Sequence, residues 1–159
     1  MSNVLPIATT LLAALLSIEP LHIGGYAALT PSFTLMATFH WAIYRPDLLP
    51  ALSLFVIGTV QDLLAGGLPG ETPVILLLCR AVVLRDPSYY AGRQFTVIWA
   101  AFTLVAFAAA AILWALHSLL SGQFLDLRGP VFTAVLTIAV FPIVSFLLAR
   151  SRRALIGAD

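Results

Sequence analysis

Apolar residues in this chain run almost unbroken over lengths that match a bilayer crossing, and this feature most restricts the fold. A helix needs roughly 20 predominantly apolar residues to span the hydrocarbon, with about 17–25 as the usual range. Six stretches approach that length: 3–19, 26–44, 47–65, 72–84, 95–120 and 131–148. Of the 159 residues, 61% are hydrophobic and 9% are charged. A soluble domain carries about 25% charged residues, so this chain lacks the polar surface that water requires. Lipid accepts an apolar exterior but forbids unpaired backbone groups, which leaves helices or a closed barrel. The runs do not alternate with period two, as barrel strands must. The expected fold is an all-α integral membrane protein: a single transmembrane domain of six helices, with no soluble domain.

Proline, glycine and arginine punctuate the runs. Pro46 with Asp47 is placed to open the third span, because proline in a first turn loses no hydrogen bond and an acid there meets the positive helix start. All eight basic residues are arginine. Six spans put Arg45, Arg80, Arg85, Arg93, Arg150, Arg152 and Arg153 toward one face and Arg128 toward the other. The positive-inside rule makes the first face cytoplasmic, with both chain ends on it. The start of the chain has neither the basic opening nor the small-residue cleavage site of a secretory signal, so it reads as a retained first helix.

The net charge of +1 offers no surface for nucleic acid. The single cysteine, Cys79, allows no internal disulfide and reads as a small buried hydrophobe. His22, His40 and His117 show no ligand spacing, and no serine has a base and an acid in a recognisable arrangement. No catalytic residue, metal or cofactor is expected. His40 and Trp41 read as interfacial aromatics.

Intramembrane charge is costly, and each instance requires a reason. Asp62 sits in LFVIGTVQDLLAGG with Gly58 four residues before it and Gly66 four after, all on one helix face. Glycines at successive turns let another backbone approach closely. Gly58, Asp62 and Gly66 therefore read as a packing seam containing one carboxylate. That carboxylate could tie helix ends together, hold a proton or ligand, or contact a partner. Arg80 lies within reach for an Asp62–Arg80 pair; alternatively, it snorkels to the headgroups beside Arg85. Arg45, Asp47, Arg85 and Arg93 make a rim at the cytoplasmic face, suited to topology setting or to partner contact. Ala106–Ala115 on the fifth span is a run of small residues suited to close helix contact.

The pattern of Pro31, Trp41 within HWAIYRP, Pro46, and then Gly58, Asp62, Gly66 and Gly70 within GTVQDLLAGGLPG resembles the MreD family of bacterial rod shape-determining membrane proteins, and the resemblance implies that Pro31 opens the second helix and Pro46 the next. The similarity is specific over about residues 29–72 and elsewhere rests on hydropathy. Ser32 departs from the family's frequent Asp or Asn, and Leu68-Pro69-Gly70 from its usual Leu-Gly. The resemblance implies a non-enzymatic scaffold and regulator of the cell-elongation complex in the bacterial inner membrane. It further implies direct binding to MreC, and links to MreB, to RodA with its partner transpeptidase, and so to peptidoglycan synthesis. The family also looks like the six-helix substrate-binding subunits of energy-coupling-factor transporters. A vitamin-type binding subunit is accordingly the second reading.

Overall fold

The computed structural model describes residues 4–18, 30–90 and 92–156. Among these residues every regular element is helical: α1 (Val4–Ile18), α2 (Phe33–Tyr44), a single 3-10 turn (Pro46–Leu48), α3 (Ala51–Ala65), α4 (Glu71–Arg85), the short α5 (Pro87–Tyr90), α6 (Phe95–Ser121) and α7 (Arg128–Ile156). His22, Glu19 and the expected helical positions 26–29 lie outside the described residues.

Two of the proline-based helix starts are corrected. The second helix begins at Phe33, not Pro31, whose carbonyl accepts a turn hydrogen bond from the Phe33 N–H. The third begins at Ala51 after Pro50. Pro46 and Asp47 instead form the 3-10 turn, because a second proline four residues after Pro46 has no N–H to continue the ladder.

α2 is the central helix, touching α1, α4 and α7. Every residue from Thr34 to Ala42 is buried, as expected of a helix that is apolar on all sides. His40 and Trp41 belong to this interior rather than to an interface: each is 2% exposed. Phe39 of α2 meets Phe102 of α6 edge-on at 5.2 Å, and Phe102 stacks on Phe141 of α7 at 4.0 Å between ring centroids. This aromatic triple joins the α6–α7 pair to the rest.

Polar side chains link α1, α2 and α3. The Trp41 indole N–H donates to Thr9 Oγ1 at 3.0 Å, and the Thr34 hydroxyl to Gln61 Oε1 at 2.7 Å. The Ser17 hydroxyl lies 3.3 Å from that of Thr34. In α7, Pro142 has no N–H to offer the carbonyl of Ile138. Trp99 of α6 supplies the missing donor, its indole N–H reaching that carbonyl at 3.1 Å. Paired backbone at such depth is what a hydrocarbon surrounding demands.

The outer surface is apolar, with Leu52, Leu63, Leu104, Ile143 and Phe146 all more than 60% exposed. α6 and α7 are long and apolar enough to cross a membrane; α1 and α3 are apolar but shorter, at 15 residues each.

Candidate functional site

The α3–α4 turn is where the sequence concentrates its unusual residues, and a carboxylate organises it. α3 ends on Gly66 in the left-handed conformation (φ 69°), with the N–H groups of Gly66 and Gly67 both turned back to the Asp62 carbonyl. The Gly67 bond is the six-residue closure of a Schellman end. The Asp62 side chain, 5% exposed as a residue, points the other way along the turn. One oxygen accepts from the Gly70 N–H at 2.9 Å, and both accept from the Thr72 N–H, at 3.2 and 3.3 Å. α4 has Gly70 at its N-cap, a residue with no side chain to cap with. Asp62 supplies that cap from the preceding helix, and its negative charge faces the positive end of the α4 dipole. Gly70 has φ 102°, a left-handed conformation that side-chain-bearing residues avoid and that aims its N–H at the carboxylate.

Gly58 is the packing point. A β-carbon there would lie 2.7 Å from the backbone nitrogen of Pro73, and the backbone on either side cannot give way cheaply. Pro73 stands in the first turn of α4, where its missing N–H leaves no bond unmade. Gly66, by contrast, is not a packing residue: nothing lies within 4 Å of its would-be β-carbon. The seam is therefore Gly58 and Asp62, with Gly66 serving as the helix stop and Gly70 as the amide donor.

The Asp62–Arg80 pair does not form. Among the described residues the ion pairs are Arg45–Asp47 and His117–Glu71. Asp62 is turned to the start of α4, whereas Arg80 stands eight residues beyond Thr72, about 12 Å further along the helix. Its guanidinium donates to the carbonyls of Leu49 at 3.1 Å and Pro46 at 3.5 Å. Arg80 thus ties α4 to the irregular α2–α3 connection.

The rim arginines separate into different environments. Arg45 bonds Asp47 at 3.3 Å on the surface, and that hydrogen bond holds the Asp47 carboxyl below its ordinary range. Arg93 lies over the Tyr89 ring and donates to the Tyr89 carbonyl at 3.2 Å. Arg85 closes the last turn of α4, where its charge suits the helix dipole. Arg152, absent from the expected rim, lies over the Tyr44 ring with its guanidinium carbon 4.2 Å from the centroid.

Two features escaped the sequence reading. Gln61, one residue before Asp62, is the acceptor that ties α3 to Thr34; no local pattern announces it. Glu71 and His117 meet at 3.1 Å between α4 and α6. The His117 Nδ1 lies 2.9 Å from the Leu113 carbonyl, which only accepts, so Nδ1 carries the hydrogen. Nε2 then faces the Glu71 carboxyl. Glu71 at the start of its helix and His117 near the end of its own both fall toward the outer face in the six-span reading, which is the only sequence signal for them.

The fold and this turn define a helical membrane protein built on interhelical packing. Residues 1–151 match the family model for the rod shape-determining protein MreD, and the chain belongs to that family. No curated protein and no solved structure gives a match.

Proposed function

We propose that this protein is a non-enzymatic scaffold of the cell-elongation complex, a six-span protein of the bacterial inner membrane with both chain ends in the cytoplasm. In this reading it binds MreC directly and is linked through the complex to MreB and to RodA with its partner transpeptidase. It thereby supports peptidoglycan synthesis and rod shape. The observation that carries the reading is the family match over residues 1–151, nearly the whole chain. The site chemistry supports it. Asp62, the strongest candidate for an intramembrane acid, is fully engaged by two backbone amides and is placed to shape the bundle. Arg80 is likewise engaged by carbonyls.

Six crossings fit the lengths only if the shorter helices use their flanking turns. A helix of 15 residues is about 22 Å long, against roughly 30 Å of hydrocarbon. Contact with a single-span partner would rely on close packing and a few polar bonds, because lipid gives helices no hydrophobic drive to associate.

Co-expression with MreC followed by detergent extraction and affinity purification tests this reading. Stoichiometric retention of MreC is the expected result. Its loss, together with a vitamin-sized molecule bound to the purified protein, would support the transporter-subunit reading instead.

A further inference from the structure

The hairpin that joins α6 to α7 carries the two most exposed large apolar side chains among the described residues, Phe124 at 93% and Leu119 at 81%. Leu120, Leu125 and Leu127 are exposed beside them in sequence. So many large apolar side chains in one short stretch mark a contact surface.

Two observations choose what that surface meets. The first is continuity. Leu104, Phe107, Ile112 and Leu116 mark the broad outer side of α6, and Leu119 continues it to the last turn. In a membrane protein that side faces hydrocarbon, and no Asp, Glu, Lys or Arg interrupts the sequence between Arg93 and Asp126. α6 has 27 residues and is about 40 Å long, against roughly 30 Å of hydrocarbon and about 40–45 Å with the headgroup layers. A span with this excess tilts, which keeps its last turn at the membrane boundary rather than in water.

The second is the bonding of the loop itself. Irregular backbone at the edge of hydrocarbon needs partners for its polar groups. The Trp114 indole N–H donates to the Leu125 carbonyl at 2.9 Å, and the Leu125 N–H donates to Ser118 Oγ at 3.4 Å. The Ser121 hydroxyl donates to the Gln123 carbonyl at 3.3 Å, and the Arg128 N–H to Asp126 Oδ1 at 3.0 Å. Side chains of α6 thus fold the loop back onto its own helix and cover backbone groups on both sides of Phe124, while the Phe124 ring stays outside. Asp126 and Arg128 follow at once in sequence, and their charges suit the headgroup layer just beyond the apolar patch.

We propose that the α6–α7 loop is a membrane anchor whose partner is the lipid surface. Leu119 and Phe124 lie in the bilayer at the boundary between headgroups and acyl chains, and they hold this end of the hairpin at a fixed depth. Assigning the anchor to the outer leaflet rests on the six-span reading, but the embedding itself does not.

The test is spin-label accessibility of the protein in nanodiscs of palmitoyl-oleoyl phosphatidylglycerol, with no partner protein present. Cys79 is the sequence's only cysteine and is buried, so it stays in place, and the unsubstituted protein serves as the blank. Leu119→Cys and Phe124→Cys are labelled in turn, so that each is read with the other apolar side chain intact. Leu104→Cys, exposed midway along α6, is the lipid reference. Both loop labels are expected to collide more with oxygen, which concentrates in hydrocarbon, than with a water-soluble nickel chelate, as the label at Leu104 does. Neither substitution removes packing, and if one variant fails to fold, by loss of its helical circular dichroism, the other decides. Nickel collisions exceeding oxygen collisions at either position, the mark of a loop in water, overturn the proposal. So does a label immobilised and shielded from both reagents, the mark of contact with a second copy or with residues 19–29 of the same chain. Because MreC is absent, failure here leaves the scaffold reading untouched.

Discussion

The part of the molecule formed by α1–α4 and the α6–α7 pair are held together by different physics. In the first, polar side chains cross from helix to helix: Thr9 to Trp41, Thr34 to Gln61, Asp62 to the α4 amides, and Arg80 to the Leu49 carbonyl. In the second, contact with α2 runs largely through the aromatic rings of Phe39, Phe102 and Phe141, joined by fewer polar ties: the Ser32 N–H to Thr137, Ser145 to His40, and Glu71 to His117, with Trp99 to the Ile138 carbonyl inside the pair. Hydrogen bonds in an apolar medium fix register and direction, whereas ring stacks tolerate sliding. α1–α4 is thus the more fixed body, richer in interhelical hydrogen bonds, and α6–α7 packs on it through rings and fewer polar ties.

The largest expected disruption of that contrast is Gly58→Leu. Its side chain would strike the Pro73 backbone, which a rigid helix cannot avoid, at a cost above about 3 kcal/mol. The expected outcome is loss of the folded protein in a detergent thermal-shift assay; a wild-type melting temperature would mean that α3 and α4 do not cross there. Asp62→Ala follows, because it strands the amides of Gly70 and Thr72 in a low-dielectric setting, at a cost of about 3 kcal/mol. The same assay should register this as a clear drop, and Asp62→Asn should recover only part of it, since a neutral amide accepts more weakly than a carboxylate.

Smaller changes sharpen the comparison. Thr34→Val removes one interhelical bond in the fixed body, and Trp99→Phe removes the donor that covers the carbonyl left open by Pro142. Interhelical hydrogen bonds in membranes average about 0.6 kcal/mol, so each variant should remain folded. Trp99→Phe should loosen only α7, seen as faster amide exchange around Ile138. Asp47→Asn should do least, leaving the melting temperature unchanged, because the Arg45–Asp47 pair is exposed and screened. The sign of its pH dependence is fixed nonetheless. The folded carboxyl titrates below its unfolded value, so any contribution is present above the ordinary aspartate range and lost as pH falls through the folded value.

The sequence discloses what depends on local pattern and conceals what depends on a distant partner. The apolar runs announce the helices, and the four-residue spacing of Gly58 and Asp62 announces a close, charged contact. The same spacing suggests that Gly66 packs too, yet Gly66 ends the helix, because a glycine pair followed by Leu-Pro-Gly favours a left-handed stop over another helical turn. Pro46 looks like a helix start until Pro50 is weighed against it. The expected Asp62–Arg80 pair followed from opposite charge and from reach between neighbouring depths. It fails because each group finds backbone partners nearer at hand, amides at one end of α4 and carbonyls at the other. The Glu71–His117 pair joins residues 46 positions apart in different helices, and no local rule reaches across that distance.

The central claim is that Asp62 joins two helices by capping the second from the first. Hydrogen–deuterium exchange on wild type and Asp62→Ala in the same detergent tests it most directly. The account predicts slow exchange at the Gly70 and Thr72 amides in wild type, faster by on the order of tenfold or more in the variant, with α6 and α7 unchanged. Equal exchange at those two amides in both proteins would contradict it.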